Sequence, residues 1–157
     1  MNIIIPTLSI ASIGIISSAL NSLYILKTSL KNNPSYSGFF ELKQFLNEND
    51  PETLLDSVKL IIDKLSSSSN KQIQKIIQSL LCTINEIEKE LNEIQNRINY
   101  NNHHYLKIYP FIYKFHNAKI RLEILINKLN NQTENLIKTT SFLSSIKKSS
   151  VKLESID

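Results

Sequence analysis

The chain has 157 residues and a formal net charge of +4, with 41% apolar and 20% charged residues. This length suits one domain around a single hydrophobic core, and the composition excludes both a disordered tail and a polytopic membrane protein. Only two glycines and four prolines occur, too few turn formers for a β-rich fold, so an all-α fold is predicted. A single cysteine, Cys82, excludes an intramolecular disulfide and a cysteine-based metal site.

The first predicted element is the segment "NIIIPTLSIASIGIISSALNSLYIL", residues 2–26, which contains no charged side chain. It is long enough for a transmembrane helix of about 20 residues. Seven Ser, Thr or Asn residues between Ile3 and Leu26 make it a weak span, and no Lys or Arg precedes it as in a secretory signal. Three interpretations stay open at this point: a membrane span, a buried helix of a soluble bundle, or a segment that alternates between the two.

Small residues recur at every fourth position of this segment, at Gly14, Ser18 and Ser22. Such a stripe lets another helix approach closely, either in a soluble core or between membrane spans. The sequence therefore predicts that these three residues form a helix-packing surface.

Two short helices are predicted next. "KNNPSYSG", residues 31–38, breaks the first helix, and residues 39–46 form a short amphipathic helix. Asp50 is a predicted N-cap with Pro51 at the first helical position. One apolar face of the helix that follows is marked by Leu54, Val58, Ile61 and Leu65, and "SSSSN", residues 66–70, is a linker.

The third unit, which follows this linker, is a predicted amphipathic helix of roughly 28 residues with coiled-coil-like packing. Cys82 lies in its middle and is expected to be a small buried hydrophobe. "NYNNHHY", residues 99–105, is predicted to end this helix. The apolar residues that define it are Ile73, Ile76, Ile77, Leu80, Ile84, Ile87, Leu91, Ile94 and Ile98.

The same alternation returns after Pro110, with Gln132 predicted as a polar residue in the seam. Two long helices with a short connection predict an antiparallel hairpin covered by the N-terminal helices. We therefore expect a bundle of four or five helices over residues 1–145. Residues 146–157 form a basic, polar tail, either a short helix or a linker. The apolar residues of the last helix are Phe115, Ala118, Leu122, Leu125, Leu129, Leu136 and Leu143.

No pattern of catalytic residues is recognisable, so the chain is not expected to be an enzyme. Gly14 and Gly38 are the only glycines, which excludes a glycine-rich nucleotide loop. The only histidines are His103, His104 and His116, and no acid lies near the first two in sequence to complete a metal site. We expect neither a metal nor a cofactor.

Residues 103–121, "HHYLKIYPFIYKFHNAKIR", interleave five aromatic residues with Lys107, Lys114, Lys119 and Arg121. Aromatic residues with bases suit the headgroup region of a membrane, and they also suit stacked single-stranded nucleic acid. A third interpretation places the rings in the core at a helix junction, with the bases merely solvated.

The order of these features resembles the HeLo and HeLo-like domains, which include the N-terminal domains of fungal NLR-type proteins and of HET-S. The four-helix bundle of the mixed-lineage kinase domain-like pseudokinase belongs to the same group. The resemblance covers about residues 3–143. It is carried by "LSIASIGIISSALNSLYIL", by "SLLCTINEIEKEL" within the third unit, and by "HHYLKIYPFIYKFHNAKIRLEILINKLNNQTENL".

This resemblance implies a cell-death effector domain that is cytoplasmic, relocates to the plasma membrane, oligomerises when a sensor domain is triggered, and permeabilises the bilayer. Its partners would be anionic lipids and further copies of itself, with no nucleic acid. Lys107, Lys114, Lys119 and Arg121 would contact lipid headgroups. The membrane-inserting residues would be Ile3, Ile4, Ile5, Leu8, Ile10, Ile13, Ile15, Ile16, Leu20 and Leu23.

Two other functions are compatible with the residues. The first is a structural subunit, such as a helical scaffold or a viral coat component anchored by the N-terminal helix. The second is a cytosolic helical interaction module without membrane activity.

Overall fold

The computed structural model describes residues 4–32, 37–65, 67–103 and 115–156, with side-chain surroundings for most of them. These described residues form five helices and contain no strand. The predicted all-α bundle of four or five helices is confirmed. The helices are α1 (Ile4–Asn32), α2 (Ser37–Asn49), α3 (Pro51–Leu65), α4 (Lys71–His103) and α5 (Phe115–Ile156).

Helices α4 and α5 form the predicted antiparallel hairpin. The Arg121 guanidinium Nε donates to Glu90 Oε1 over 2.7 Å, and Gln132 Nε2 donates to Ser79 Oγ over 2.9 Å. The residue numbers of the partners thus decrease along α4 as they increase along α5, so the two helices are antiparallel. The predicted stripe of isoleucines and leucines on α4 is buried from Ile73 to Ile98, except for Ile76, which is partly buried.

Helix α1 packs mainly on α4 and runs parallel to it. The Ser18 hydroxyl hydrogen-bonds to Glu88, and Gln95 Nε2 donates to Ser29 Oγ over 2.9 Å, so partner numbers rise together along both helices. Helices α2 and α3 close the bundle between α1 and α5. Only four residues, 33–36, separate α1 from α2.

The buried stripe of α5 differs in register from the predicted one. Ile126 is buried where Leu125 was expected, and Leu125 is only partly buried. The polar residue inside the seam is Thr133, 7% exposed, whose hydroxyl donates to the Leu129 carbonyl over 2.7 Å. Gln132 lies at the edge of the interface, so the prediction of Gln132 as the seam residue was wrong.

Cys82 is exposed, which corrects the prediction of a buried thiol. It lies two residues from Leu80 and from Ile84, both fully buried. Two residues turn an α-helix by about 200°, so a side chain between two core positions points to solvent.

One residue joins α2 to α3. The Asp50 N–H donates to the Leu46 carbonyl over 3.1 Å and ends α2, with Asp50 at a φ of 41°. Its carboxylate accepts the Thr53 N–H over 3.3 Å and the Thr53 hydroxyl over 2.6 Å. These hydrogen bonds lower the pKa of Asp50 and confirm its predicted role as the N-cap of α3.

Both long helices extend past their predicted ends. Helix α4 continues through Asn99 to His103, so "NYNNHHY" does not break it at its start. Helix α5 continues to Ile156 without interruption across the predicted boundary at residues 145 and 146. No Pro or Gly occurs after Phe115, so nothing in the sequence breaks the hydrogen-bond ladder of α5.

Candidate functional site

The uncharged helix α1 is the candidate functional element, and one narrow stripe holds it in the bundle. Pro6 lies in the first turn of α1, where a missing N–H costs no helical hydrogen bond. The stripe recurs at intervals of three and four residues, and each of its side chains is at most 2% exposed. These residues are Ser12, Ile16, Ala19, Leu23, Leu26 and Leu30.

The opposite face of α1 is exposed and carries no charge before Lys31. Ile13 is 36% exposed, Tyr24 70% and Ile25 44%. Between them lie Ser17 and Asn21, which are also exposed. Apart from Lys27 and Lys31 near its end, α1 therefore presents uncharged surface all around.

Three of the polar contacts of α1 connect it to α3 and α4. The hydrogen bonds of Ser18 with Glu88 and of Ser29 with Gln95 join it to α4. Lys27 Nζ lies 3.1 Å from Glu52 Oε2 on α3. All three involve residues with solvent access, and an exposed ion pair such as Lys27–Glu52 contributes little to stability. The apolar stripe is thus the main source of the stability with which α1 is docked.

A second polar cluster, centred on Glu41, joins α2 to the start of α5. Glu41 Oε1 accepts from His116 Nδ1 over 3.3 Å and from Lys119 Nζ over 3.2 Å. The hydrogen bonds from His116 and Lys119 lower the pKa of Glu41. Beside them the rings of Phe39 and Phe115 are tilted against each other, with centroids 5.1 Å apart. We call these contacts the α2–α5 clasp.

The clasp predicts a pH dependence of stability. Because folding lowers the pKa of Glu41, its contribution is full above the ordinary value of 4.5 and is lost as the pH falls through the lowered value. Glu41→Gln should therefore lower the denaturation midpoint at neutral pH, with the difference from wild type disappearing in acid. Urea denaturation at a series of pH values measures this.

Glu123→Gln is the matched control for that measurement. Glu123 is exposed on α5 and forms no ion pair among the described residues. Its replacement should leave the pH dependence of the midpoint unchanged. A Glu41→Gln midpoint that stays below wild type by the same amount in acid would show that the ionised carboxylate is not responsible.

The predicted membrane-inserting residues fall into separate groups. Ile16 and Leu23 are buried in the core, and Ile15 and Leu20 are partly buried against it. Ile13 is exposed. Ile3 lies outside the described residues. The remaining four belong to the first turns of α1, where side chains lie outside the described part: Ile4, Ile5, Leu8 and Ile10.

The small-residue stripe does not pack as a unit inside this chain. Gly14 is exposed and a Cβ placed on it would meet no atom within 4 Å. Ser18 is exposed and hydrogen-bonded to Glu88, and Ser22 is 9% exposed. Close packing of another helix against all three residues is absent from the described bundle, so packing between chains stays a prediction.

Two of the four predicted headgroup-binding bases are already paired with acids. Lys119 contacts Glu41 in the clasp, and Arg121 contacts Glu90 on α4. Lys107 and Lys114 lie outside the described residues. Sequence spacing gave no signal for these pairings, because each joins residues at least 31 positions apart.

One helix of the described residues is long and apolar enough to cross a membrane by length and composition, over Ala11–Asn32. In the bundle, 28% of an apolar 18-residue stretch of this segment is buried. The described residues contain no group of three or more His, Cys, Asp or Glu that could hold a metal ion. Comparison with family models, curated proteins and solved structures finds no match to this chain.

Proposed function

We propose that the chain is a membrane-active cell-death effector domain that oligomerises and permeabilises the membrane by releasing α1 into it. It would act from the cytoplasm, relocate to the plasma membrane, and respond to an attached or separate sensor. The observation that carries the proposal is the partial burial of α1, a helix of membrane-spanning length whose charged side chains are confined to Lys27 and Lys31 near its end.

Both the bundle and a bilayer can cover the apolar side chains of α1. Fully burying one Leu or Ile side chain contributes about 1.5–3 kcal/mol, whether protein or acyl chains surround it. A bilayer would also cover Ile13 and Ile25, which the bundle leaves exposed. Against this, the Ser and Asn residues of α1 reduce the gain on insertion. A trigger needs different affinity for the docked and released states to shift such a balance.

Crosslinking α1 to α4 tests this proposal. Cys82→Ser first removes the exposed native thiol, and Ser18→Cys with Glu88→Cys then places two thiols where side chains already touch. A short bismaleimide joins them. We expect the uncrosslinked protein to release dye from phosphatidylserine-containing vesicles and the crosslinked protein to release none.

The hairpin offers a matched control for the crosslink. Ser79→Cys with Gln132→Cys joins α4 to α5 at another pair of touching side chains and leaves α1 free. This protein should release dye as fully as the uncrosslinked one. Equal release from both crosslinked proteins, or no release from any of them, would contradict the proposal.

The alternative is a structural subunit, a scaffold or a membrane-anchored, coat-like helical protein. It is favoured by the complete burial of the α1 stripe, since Ile16 and Leu26 are 0% exposed. In a static scaffold α1 amides exchange with solvent as slowly as those of α4, even beside anionic vesicles. In the effector, addition of vesicles should change the exchange rate of α1 amides and leave that of α4 amides unchanged. Hydrogen exchange thus separates the two functions.

A further inference from the structure

Charge is separated along the bundle. We call the end at which α4 begins the basic end; it comprises the second half of α3, the first turns of α4, and α5 from Thr133 onward. It contains eight lysines and three acids, whereas the other described residues contain eight bases and ten acids. The lysines are Lys59, Lys64, Lys71, Lys75, Lys138, Lys147, Lys148 and Lys152.

Helix α5 projects beyond the bundle at the basic end. Gln132 lies opposite Ser79, so the first residue of α4, Lys71, is level with about residue 140 of α5. The remaining helix to Ile156 extends roughly 24 Å farther at 1.5 Å per residue. Accordingly, every side chain from residue 144 to residue 150 is exposed.

This projecting part of α5 has an apolar face between lysines. Phe142 is 65% exposed and Ile146 48% exposed, one turn apart on the same face, with Leu143 beside them. At 100° per residue, Lys138 and Lys147 lie about 90° to either side of this face. None of the described residues forms an ion pair with either lysine. An apolar face bordered by lysines is typical of helices that lie in a membrane interface.

The start of α1 lies at this same end, because α1 runs parallel to α4. Lys119 and Arg121, at the start of α5, lie at the opposite end and already contact acids. Lys138, Lys147 and the first turns of α1 therefore lie at the same end of the molecule, the basic end.

We propose that residues 138–150 of α5, which lead into and include much of its projecting part, are the surface by which the protein first contacts anionic membranes. This inference rests on the proposed function and places its headgroup contact at the basic end. A lipid surface fits better than nucleic acid because the lysines border an exposed apolar face that a bilayer would cover.

Flotation with vesicles tests the contact separately from dye release. Lys147→Gln with Lys148→Gln should weaken binding to phosphatidylserine–phosphatidylcholine vesicles by about thirty-fold, roughly five-fold per lysine. Lys43→Gln with Lys89→Gln removes the same charge from two exposed positions outside the basic end and should leave binding nearly unchanged. Binding should also weaken as salt is raised.

A second pair of variants tests the apolar face. Phe142→Ser with Ile146→Ser should weaken vesicle binding, whereas Ile120→Ser with Ile124→Ser, at exposed positions near the start of α5, should not. Circular dichroism checks that all variants remain helical, which is expected because these side chains are exposed.

The outcomes separate this inference from the proposed function. Lysine-dependent binding without dye release supports the α5 contact and contradicts the release of α1. Dye release that is insensitive to Lys147 and Lys148 overturns the contact alone. The proposed α5 contact is also overturned if the wild type does not bind anionic vesicles but binds a single-stranded oligonucleotide through these lysines.

Discussion

Arginine at two exposed positions of α1 should abolish dye release while leaving the bundle folded. Ser17→Arg and Asn21→Arg place charges where the docked helix already faces water, so the free energy of unfolding should change little. In a bilayer, each arginine near the centre of the helix costs about 2.5–3.5 kcal/mol. The pair should therefore lower release more than a thousand-fold at equal protein concentration.

Gln78→Arg with Cys82→Arg is the control for added charge. Both positions are exposed on α4, four residues apart as in the α1 pair. This control gains the same attraction to anionic vesicles without adding charge to α1. It should release dye at least as well as wild type. If the α1 variant equals the control, α1 does not enter the bilayer.

Leu23→Ala should increase dye release, whereas Leu122→Ala should not. Leu23 is 1% exposed on α1 and Leu122 is 0% exposed on α5, and truncation of a buried leucine costs about 2–5 kcal/mol. Only the truncation of Leu23 removes packing that keeps α1 docked in the bundle. Leu23→Ala should therefore permeabilise vesicles at a lower protein concentration than wild type.

Chemical denaturation of both alanine variants provides the comparison of stability, and hydrogen exchange shows which helix opens. We expect similar denaturation midpoints, with faster exchange of α1 amides only in Leu23→Ala. Equal dye release from the two variants would mean that overall instability, and not undocking of α1, makes the protein membrane-active.

The sequence predicts the fold where the pattern is local. The α4 stripe from Ile73 to Ile98 follows the three–four alternation of an amphipathic helix, and Asp50 before Pro51 predicts the start of α3. Helical spacing also places Cys82 opposite Leu80 and Ile84, so its exposure was predictable from the same rule.

Other features depend on contacts between distant residues. Leu125 and Ile126 are both apolar, so packing against the neighbouring helices decides which one is buried. The parallel alignment of α1 with α4 rests on pairs such as Ser18 with Glu88, for which the sequence has no signal. The pairing of Lys119 with Glu41 likewise requires α2 to dock on α5. The sequence alone therefore could not show that Lys119 and Arg121, which were predicted to contact lipid headgroups, are paired with Glu41 and Glu90.

The short connection between α1 and α2 limits how far a released α1 can travel. From Asn32 to Ser37 there are five Cα–Cα steps, which span no more than about 17 Å even when fully extended. The last turn of α1 is therefore tethered to α2, and its first turns make the widest swing. The first turns of α1, which carry no charge, would therefore be the first part of the helix to enter a bilayer.

The hydrocarbon core of a bilayer is about 30 Å thick, nearly twice the reach of this tether. If the protein stands on its basic end, α1 cannot slide fully across while α2 stays docked on α5. Deep entry would then require Glu41 to leave His116 and Lys119. Because only residues 33–36 connect the two helices, deep insertion of α1 and undocking of α2 from α5 would have to occur together.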